Sequence, residues 1–387
     1  MGPIKSYKKK NGQLCYQVRY KYRDEATGKR KDGFKAGFER KKDAEKYLTE
    51  VMHRINTNTF VSQSKITVKA YMENWLRDHV EKTLKQTTVN SHVSKVEWHI
   101  MPNIGEFQLQ ELRARHIRTF YENLLNNGRV SPTKKGVKGL SITTVRQVKA
   151  ILSKALKDAV HDGYLVKNPA EGVSLPSAPE SVAGAKDNYY TQDQFKELLC
   201  LIEDHPIGLP AILSATTSMR RCEVLGLAWK DIDFKEGKIS IQRGLSINRQ
   251  RELYFDSTKS TYSNRVVYPP TFVMKKLKKH RPKILSINPD DIQLVFTKAD
   301  GNPYNPDTFS RMFTNLIEKH ELPKLTYHGL RHTYATVILD DGTHNINDIS
   351  KSMGHSKFST TSDFYGHVTE DKKRKMADTM DRLFGEK

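Results

Sequence analysis

Tyr16, Val18, Tyr20 and Tyr22 alternate with Gln17, Arg19 and Lys21, a two-residue period. Fifty residues on, the period lengthens: Val68, Tyr71, Met72, Trp75 and Leu76 fall at i, i+3, i+4, i+7 and i+8. The first period fits a strand with one buried face, the second a helix with an apolar stripe. A chain that changes period in this way cannot be built from one kind of element. It reads as a small β-rich module followed by an all-α one.

The β module is placed at residues 1–60, a three-stranded sheet plus a helix. Asn11-Gly12 and Ala26-Thr27-Gly28 supply turns, and Lys29, Arg30 and Lys31 open the next segment. Ala44, Tyr47, Leu48 and Val51 give the helix its apolar face. One sheet face is therefore apolar and the other basic. Residues 66–170 are read as helical, with Thr67 as an N-cap. A second helix carries Val89, Val93, Val96 and Ile100 and is expected to end near Pro102. A third uses Ile117, Phe120, Tyr121, Leu124 and Leu125, and a fourth Val145, Val148, Leu152, Ala155 and Ala159. The basic loop NNGRVSPTKKGVKG lies between these two. Residues 171–187 (EGVSLPSAPESVAGAKD) have a linker composition. After them, Thr191-x-x-Gln194 signals a helix start, and Phe195, Leu198, Leu199 and Ile202 form its face. Ile239 and Ile241, Tyr254, and Val266 and Tyr268 read as strands, with helical patterns resuming after residue 307. The fold class is thus multidomain and mainly α with small β-sheets, ending in a mixed α+β domain at 188–387.

The 387 residues carry a formal net charge of +21. Such a charge calls for a polyanionic partner, and nucleic acid fits better than membrane because no apolar run is long enough to span a bilayer. The N-terminus lacks an apolar stretch of the secretory kind, which points to the cytoplasm. Cys15, Cys200 and Cys222 are scattered, as in a reducing compartment, and do not suggest a zinc site.

The tail concentrates the chemistry. TYHGLRHTYAT, MGHS and TSDFYGHV bring His328, Arg331, His355 and Tyr365 into one stretch. Two histidines, an arginine and a tyrosine suit work on a phosphodiester, in which a phenolic oxygen attacks and cations hold the phosphate. Upstream, Arg220 sits where a helix should begin, with Glu223 one turn on, and Lys259 falls in a turn between strands. Alone, each is ordinary: an i, i+3 ion pair is usually a surface pair, and a hairpin lysine is usually solvated.

Taken in order, Arg220, Lys259, His328-x-x-Arg331, Gly354-His355 and Tyr365 resemble the tyrosine recombinase (phage integrase) family. The matching segments are TSMRRCE, TKSTYSNR, HGLRH, MGHS and TTSDFYGHV. The resemblance implies a site-specific recombinase that cuts and rejoins DNA through a 3′-phosphotyrosine link, without cofactor or metal, and integrates and excises a mobile element. It makes Arg220, Lys259, His328, Arg331, His355 and Tyr365 the active-site set, with Tyr365 the nucleophile. Glu223 resembles the family's acidic residue that orients its neighbours, and His332 is left to packing. Ser218 stands where family members commonly carry glycine.

Residue chemistry agrees with these roles. A tyrosine with a pKa of about 10 costs about 4 kcal/mol to present as phenolate at neutral pH. It therefore needs positive potential, which Arg220 and Arg331 can supply while gripping phosphate oxygens. His328 fits a proton acceptor or acid–base partner, Lys259 the acid for the departing 5′ oxygen, and His355 a hydrogen-bond donor to phosphate.

The resemblance also makes 1–60 an arm-type DNA-binding domain, with Arg19 and Lys21 on the face offered to a major groove, and 66–170 the core-site DNA-binding domain. The expected partners are double-stranded DNA at core and arm attachment sites and three further copies of the chain in a tetramer. A recombination directionality factor and a host DNA-bending protein are further candidates. Met376, Met380, Leu383 and Phe384, at helical spacing, either dock on a neighbouring protomer or pack on their own domain. Competing readings are a type IB topoisomerase, a metal-dependent transposase and a DNA-binding protein without catalysis. The pairs Asp290-Asp291 and Asp340-Asp341 are read as turns and helix ends and not as metal ligands.

Overall fold

The computed structural model describes residues 3–23, 29–57, 60–61, 64–131, 136–176, 188–257, 265–282 and 292–354. It divides into two compact units, Met1–Ser181 and Val182–Lys387. Among the described residues no helix is long and apolar enough to cross a membrane.

In the first unit β1 (Ile4–Lys8), β2 (Leu14–Arg23) and β3 (Arg30–Phe38) form an antiparallel sheet in that order. Gly12, at φ 81°, makes the tight turn between β1 and β2. Val18 is fully buried beneath α1 (Lys41–Asn56), whose Ala44 and Val51 are buried with it. The Tyr20 ring lies edge-on to Tyr47 of that helix. Arg19 and Lys21 are exposed on the opposite face, as the alternation requires. At the start of β2 the alternation fails, because β3 inserts an extra residue, Gly37, between the partners of Tyr16 and Gln17. Cys15 is fully buried there as well.

The helical part comprises α2 (Val68–Trp75), α3 (Glu81–Thr83), α4 (Gln86–Lys95), α5 (Met101–Ile104), α6 (Ala114–Asn127) and α7 (Ile142–His161). The Thr67 and Ser141 hydroxyls cap α2 and α7 by accepting from backbone amides three residues on. Two polar anchors join α2 to α7: Tyr71 donates to the Ala155 carbonyl at 2.8 Å, and Trp75 Nε1 donates to Asp158 Oδ2 at 2.9 Å. The second helical segment ends two residues past Pro102, at Ile104. A wider π turn, Val96–Ile100, precedes Pro102, which then occupies the first turn of α5, where a missing amide costs little. The basic loop after α6 is closed at its base, where Arg129 donates through its amide to Lys138 O and through Nε to Gly139 O.

The second unit opens with α8 (Gln192–Ile202), whose Thr191 and Gln194 form the expected reciprocal cap, and continues with α9 (Gly208–Thr217) and α10 (Arg221–Leu225). β4 (Ile232–Asp233), β5 (Lys238–Ile241) and β8 (Arg265–Val267) form one antiparallel sheet, and β6 (Arg243–Ile247) pairs with β7 (Leu253–Ser257) in another. Ile239 faces Val267, so Val267 turns inward while Val266 and Tyr268 are exposed, opposite to the face their apolar character suggests. Next come α11 (Thr271–His280), which the sequence reading passed over, α12 (Pro306–Lys319), α13 (Gly329–Asp341) and α14 (Ile346–Met353). Helix α11 buries only Val273 and Leu277, too sparse a stripe to stand out among its lysines. An apolar core joins α8, α9, α11 and α12 with both sheets. Gly226 lets α10 approach β6 closely, since a Cβ there would stand 2.8 Å from the Leu245 amide nitrogen. That approach fixes the helix on which the first candidate arginine sits.

Candidate active site

Arg220 occupies the position before α10, with extended backbone. The Glu223 carboxylate reaches back one turn. Its Oε2 accepts from the Arg220 amide at 2.8 Å and its Oε1 from Arg220 Nη1 at 2.7 Å. This is the i, i+3 pair of the sequence, but it is not a surface pair: Glu223 is 4% exposed and Arg220 33%. Burial pushes the Glu223 carboxyl up. The charges and hydrogen bonds of Arg265 and Arg220 overcome that push and hold it below the ordinary carboxylate range.

The turn before Arg220 is equally determined. Ser218 ends α9 in the left-handed region, at φ 55°, with its side chain fully buried. Ser214 Oγ donates to Met219 O at 2.8 Å and closes this turn. A left-handed backbone explains why glycine is common at that place in the resembling family.

His328 and Arg331 lie at the start of α13. His328 is the residue before the helix and Gly329 its first residue. A Cβ on Gly329 would stand 2.6 Å from the Asn188 carbonyl oxygen, so the glycine of HGLRH is a packing requirement. Thr333, one turn on, accepts from the Tyr190 amide at 3.0 Å and ties α13 to the chain leading into α8. Arg331 is 1% exposed and donates from Nη1 to Ser218 O and from Nη2 to Met353 O. Arg220 Nη2 donates to the adjoining Gly354 O at 3.1 Å. Both guanidinium groups thus converge on the turn that ends α14, one residue before His355.

His328 is exposed as a residue and sits in a positively charged neighbourhood. Desolvation, then Arg331 and Arg220, lower its pKa and favour the neutral ring. His332 stands edge-on to it, with ring centroids 5.1 Å apart. Burial, with His328 and Arg331 beside it, pushes His332 down to about 4. Arg220, Glu223, His328 and Arg331 are therefore brought together. Lys259, His355 and Tyr365 lie outside the described residues, as do Asp290, Asp291 and the segment holding Met376, Met380, Leu383 and Phe384. Asp341 ends α13 before the left-handed Gly342, the helix-end role read for that pair.

Two features escaped the sequence reading. Arg265, on β8, forms a forked pair with Glu223, donating Nη1 to Oε1 at 3.1 Å and Nη2 to Oε2 at 3.0 Å. Nothing local marks it, since its partner lies 42 positions away. In the first unit, Arg146, Lys149 and Lys157 line a groove along α7. They fall on the side opposite Val145, Val148 and Leu152, a signal present in the sequence once the apolar face is drawn.

Three known families match successive parts of the chain. An arm DNA-binding domain matches residues 3–55, a phage integrase N-terminal SAM-like domain 67–125, and the phage integrase family 188–372. Residues 188–372 thus resemble the phage integrase family. A tyrosine recombinase XerC-like protein of Caldanaerobacter subterraneus subsp. tengcongensis is 25% identical to this chain, covering 97% of it and 98% of the relative. The ICEBs1 integrase of Bacillus subtilis is also 25% identical, over 74% of this chain and 75% of the relative. Among solved structures, the Tn1549 transposon integrase in complex with a circular intermediate DNA covers 81% of this chain at 22% identity, with a TM-score of 0.66. A lambda integrase tetramer bound to a Holliday junction covers 94% at 17% identity, with a TM-score of 0.57. These two likenesses show that the integrase fold is shared.

Proposed function

We infer that the protein is a site-specific tyrosine recombinase of the arm-binding integrase type, acting on double-stranded DNA in the cytoplasm. The observation that carries this reading is the convergence of Arg220 and Arg331 on the Met353–Gly354 turn, with His328 beside them. Carbonyl oxygens satisfy both guanidinium groups where phosphate oxygens would bind. The scissile phosphate exchanges with those carbonyls, and because Arg331 is buried the turn must yield for it to be reached. Tyr365 then attacks the phosphorus, neutral His328 takes the phenolic proton, Lys259 protonates the departing 5′ oxygen and His355 donates to the phosphate. The phosphotyrosyl bond conserves the energy of the broken ester, so a second 5′ hydroxyl reverses the step and religates the strands.

Residues 1–60 serve as the arm-site domain, through Arg19 and Lys21, and 66–170 as the core-site domain. The linker 171–187 joins them to the catalytic domain at 188–387. Four copies assemble on paired sites, with a directionality factor and a host bending protein setting the outcome. The family match and the recombinases and integrases among the relatives favour recombination over the topoisomerase alternative.

The test is a plasmid carrying two attachment sites. Recombination that requires both sites and persists in chelator is the expected result. Relaxation of a plasmid lacking any site identifies a topoisomerase, and loss of activity in chelator identifies a metal-dependent enzyme.

A further inference from the structure

Glu223 holds a full negative charge next to the arginine that has to face the phosphate. Left alone with Arg220, it would neutralise that arginine and spend its Nη1 on a closed ion pair. The structure does not leave the two alone. Arg265 lays its fork across both oxygens of the same carboxylate, at 3.1 and 3.0 Å. Exposure is uneven across the triad. Arg220 is 33% exposed, Glu223 4% and Arg265 9%. Arg220 is the most solvent-exposed of the three, and both terminal nitrogens of Arg265 are committed to Glu223. Among the described residues, Arg265 Nε is buried with no hydrogen-bond partner. A buried arginine with an unpaired nitrogen is costly to keep for packing alone.

Resting on the recombinase reading above, we propose that Arg265 is a positioning residue for strand cleavage: it takes up the charge of Glu223 so that Arg220 keeps a net positive charge and a fixed plane toward the scissile phosphate. The three side chains then carry one net positive charge, where Arg220 and Glu223 alone would carry none. Glu223 still orients Arg220 through the backbone amide and Nη1, and the charge needed to do so is balanced from behind by a residue that never meets DNA.

The proposal is tested on the full chain with nicked suicide duplexes that differ at one atom group. One carries the natural scissile phosphate. The other carries a methylphosphonate there, which lacks the negative charge of a non-bridging oxygen. Arg265→Gln is expected to form covalent complex roughly 10–100-fold more slowly on the phosphate, the range for partners that act through a first contact. On the methylphosphonate it should come within a few-fold of the unsubstituted protein, because that substrate no longer needs the missing charge. Arg265→Lys retains the charge without the fork and should fall between the two on the phosphate. If Arg265→Gln does not fold, as judged by thermal unfolding and duplex binding, Arg265→Met, which also removes the charge, carries the same comparison. Equal losses on both duplexes would reduce Arg265 to a structural role, and no loss on the phosphate would overturn the proposal outright. If the unsubstituted protein forms no covalent complex on either duplex, the recombinase reading has failed, and that outcome is distinct from both.

Discussion

Ser218 pays for its place with a left-handed backbone at φ 55° and a hydroxyl that is buried without a hydrogen-bond partner among the described residues. Replacing it by glycine removes both liabilities. Ser218→Gly is expected to stabilise the protein by about 1 kcal/mol, raising the melting temperature by about 2–4 °C in calorimetry. A lower melting temperature would show that the hydroxyl has a partner there. The neighbouring histidines make a second prediction. With a folded pKa of about 4 against 6.5 unfolded, His332 binds fewer protons in the native state across that interval. The native state is therefore favoured above pH 6.5 and loses stability as pH falls toward 4. Replacing His332 by Gln should flatten this slope in denaturant titrations at pH 7, 6 and 5, and an unchanged slope would move its origin elsewhere. At this scale the sequence was most legible where motif and conformation coincide, as at Arg220, Glu223, His328 and Arg331. It was silent on Arg265, because a forked pair between β8 and α10 exists only after the sheet has formed.

At the scale of elements, periodicity located the helices because burial is one-sided, as in the stripe of α2 that is buried throughout. It placed the end of the second helical segment to within two residues, at Ile104 after Pro102. It failed where pairing of Val267 with Ile239 reversed the expected inner face of β8. That departure is set by contacts that a local pattern does not record. The polar anchors between α2 and α7 are equally non-local, and they carry a prediction. Trp75→Phe keeps the packing and removes one hydrogen bond to Asp158, which keeps Lys154 as a partner. A destabilisation of about 1–3 kcal/mol is expected in urea unfolding, with the slope of the transition unchanged. A change below measurement error would place that bond in solvent-exchange balance with no net contribution.

The whole molecule spends its charge of +21 on DNA, in the reading proposed above, through more than one surface. The exposed Arg19 and Lys21 of the sheet and the basic line of α7 are separate surfaces within the first unit. Removing residues 1–60 is therefore expected to spare cleavage at the core site and abolish integrative recombination, scored by product formation between paired attachment sites. Full integration by the shortened chain would refute the arm-binding role. The central claim is that DNA becomes joined to Tyr365, and it is tested most directly by incubating the protein with a nicked suicide duplex carrying the attachment core. The unsubstituted chain should accumulate a covalent protein–DNA complex that survives denaturing electrophoresis, and Tyr365→Phe should accumulate none. A complex that still forms with Phe at 365 would contradict the account.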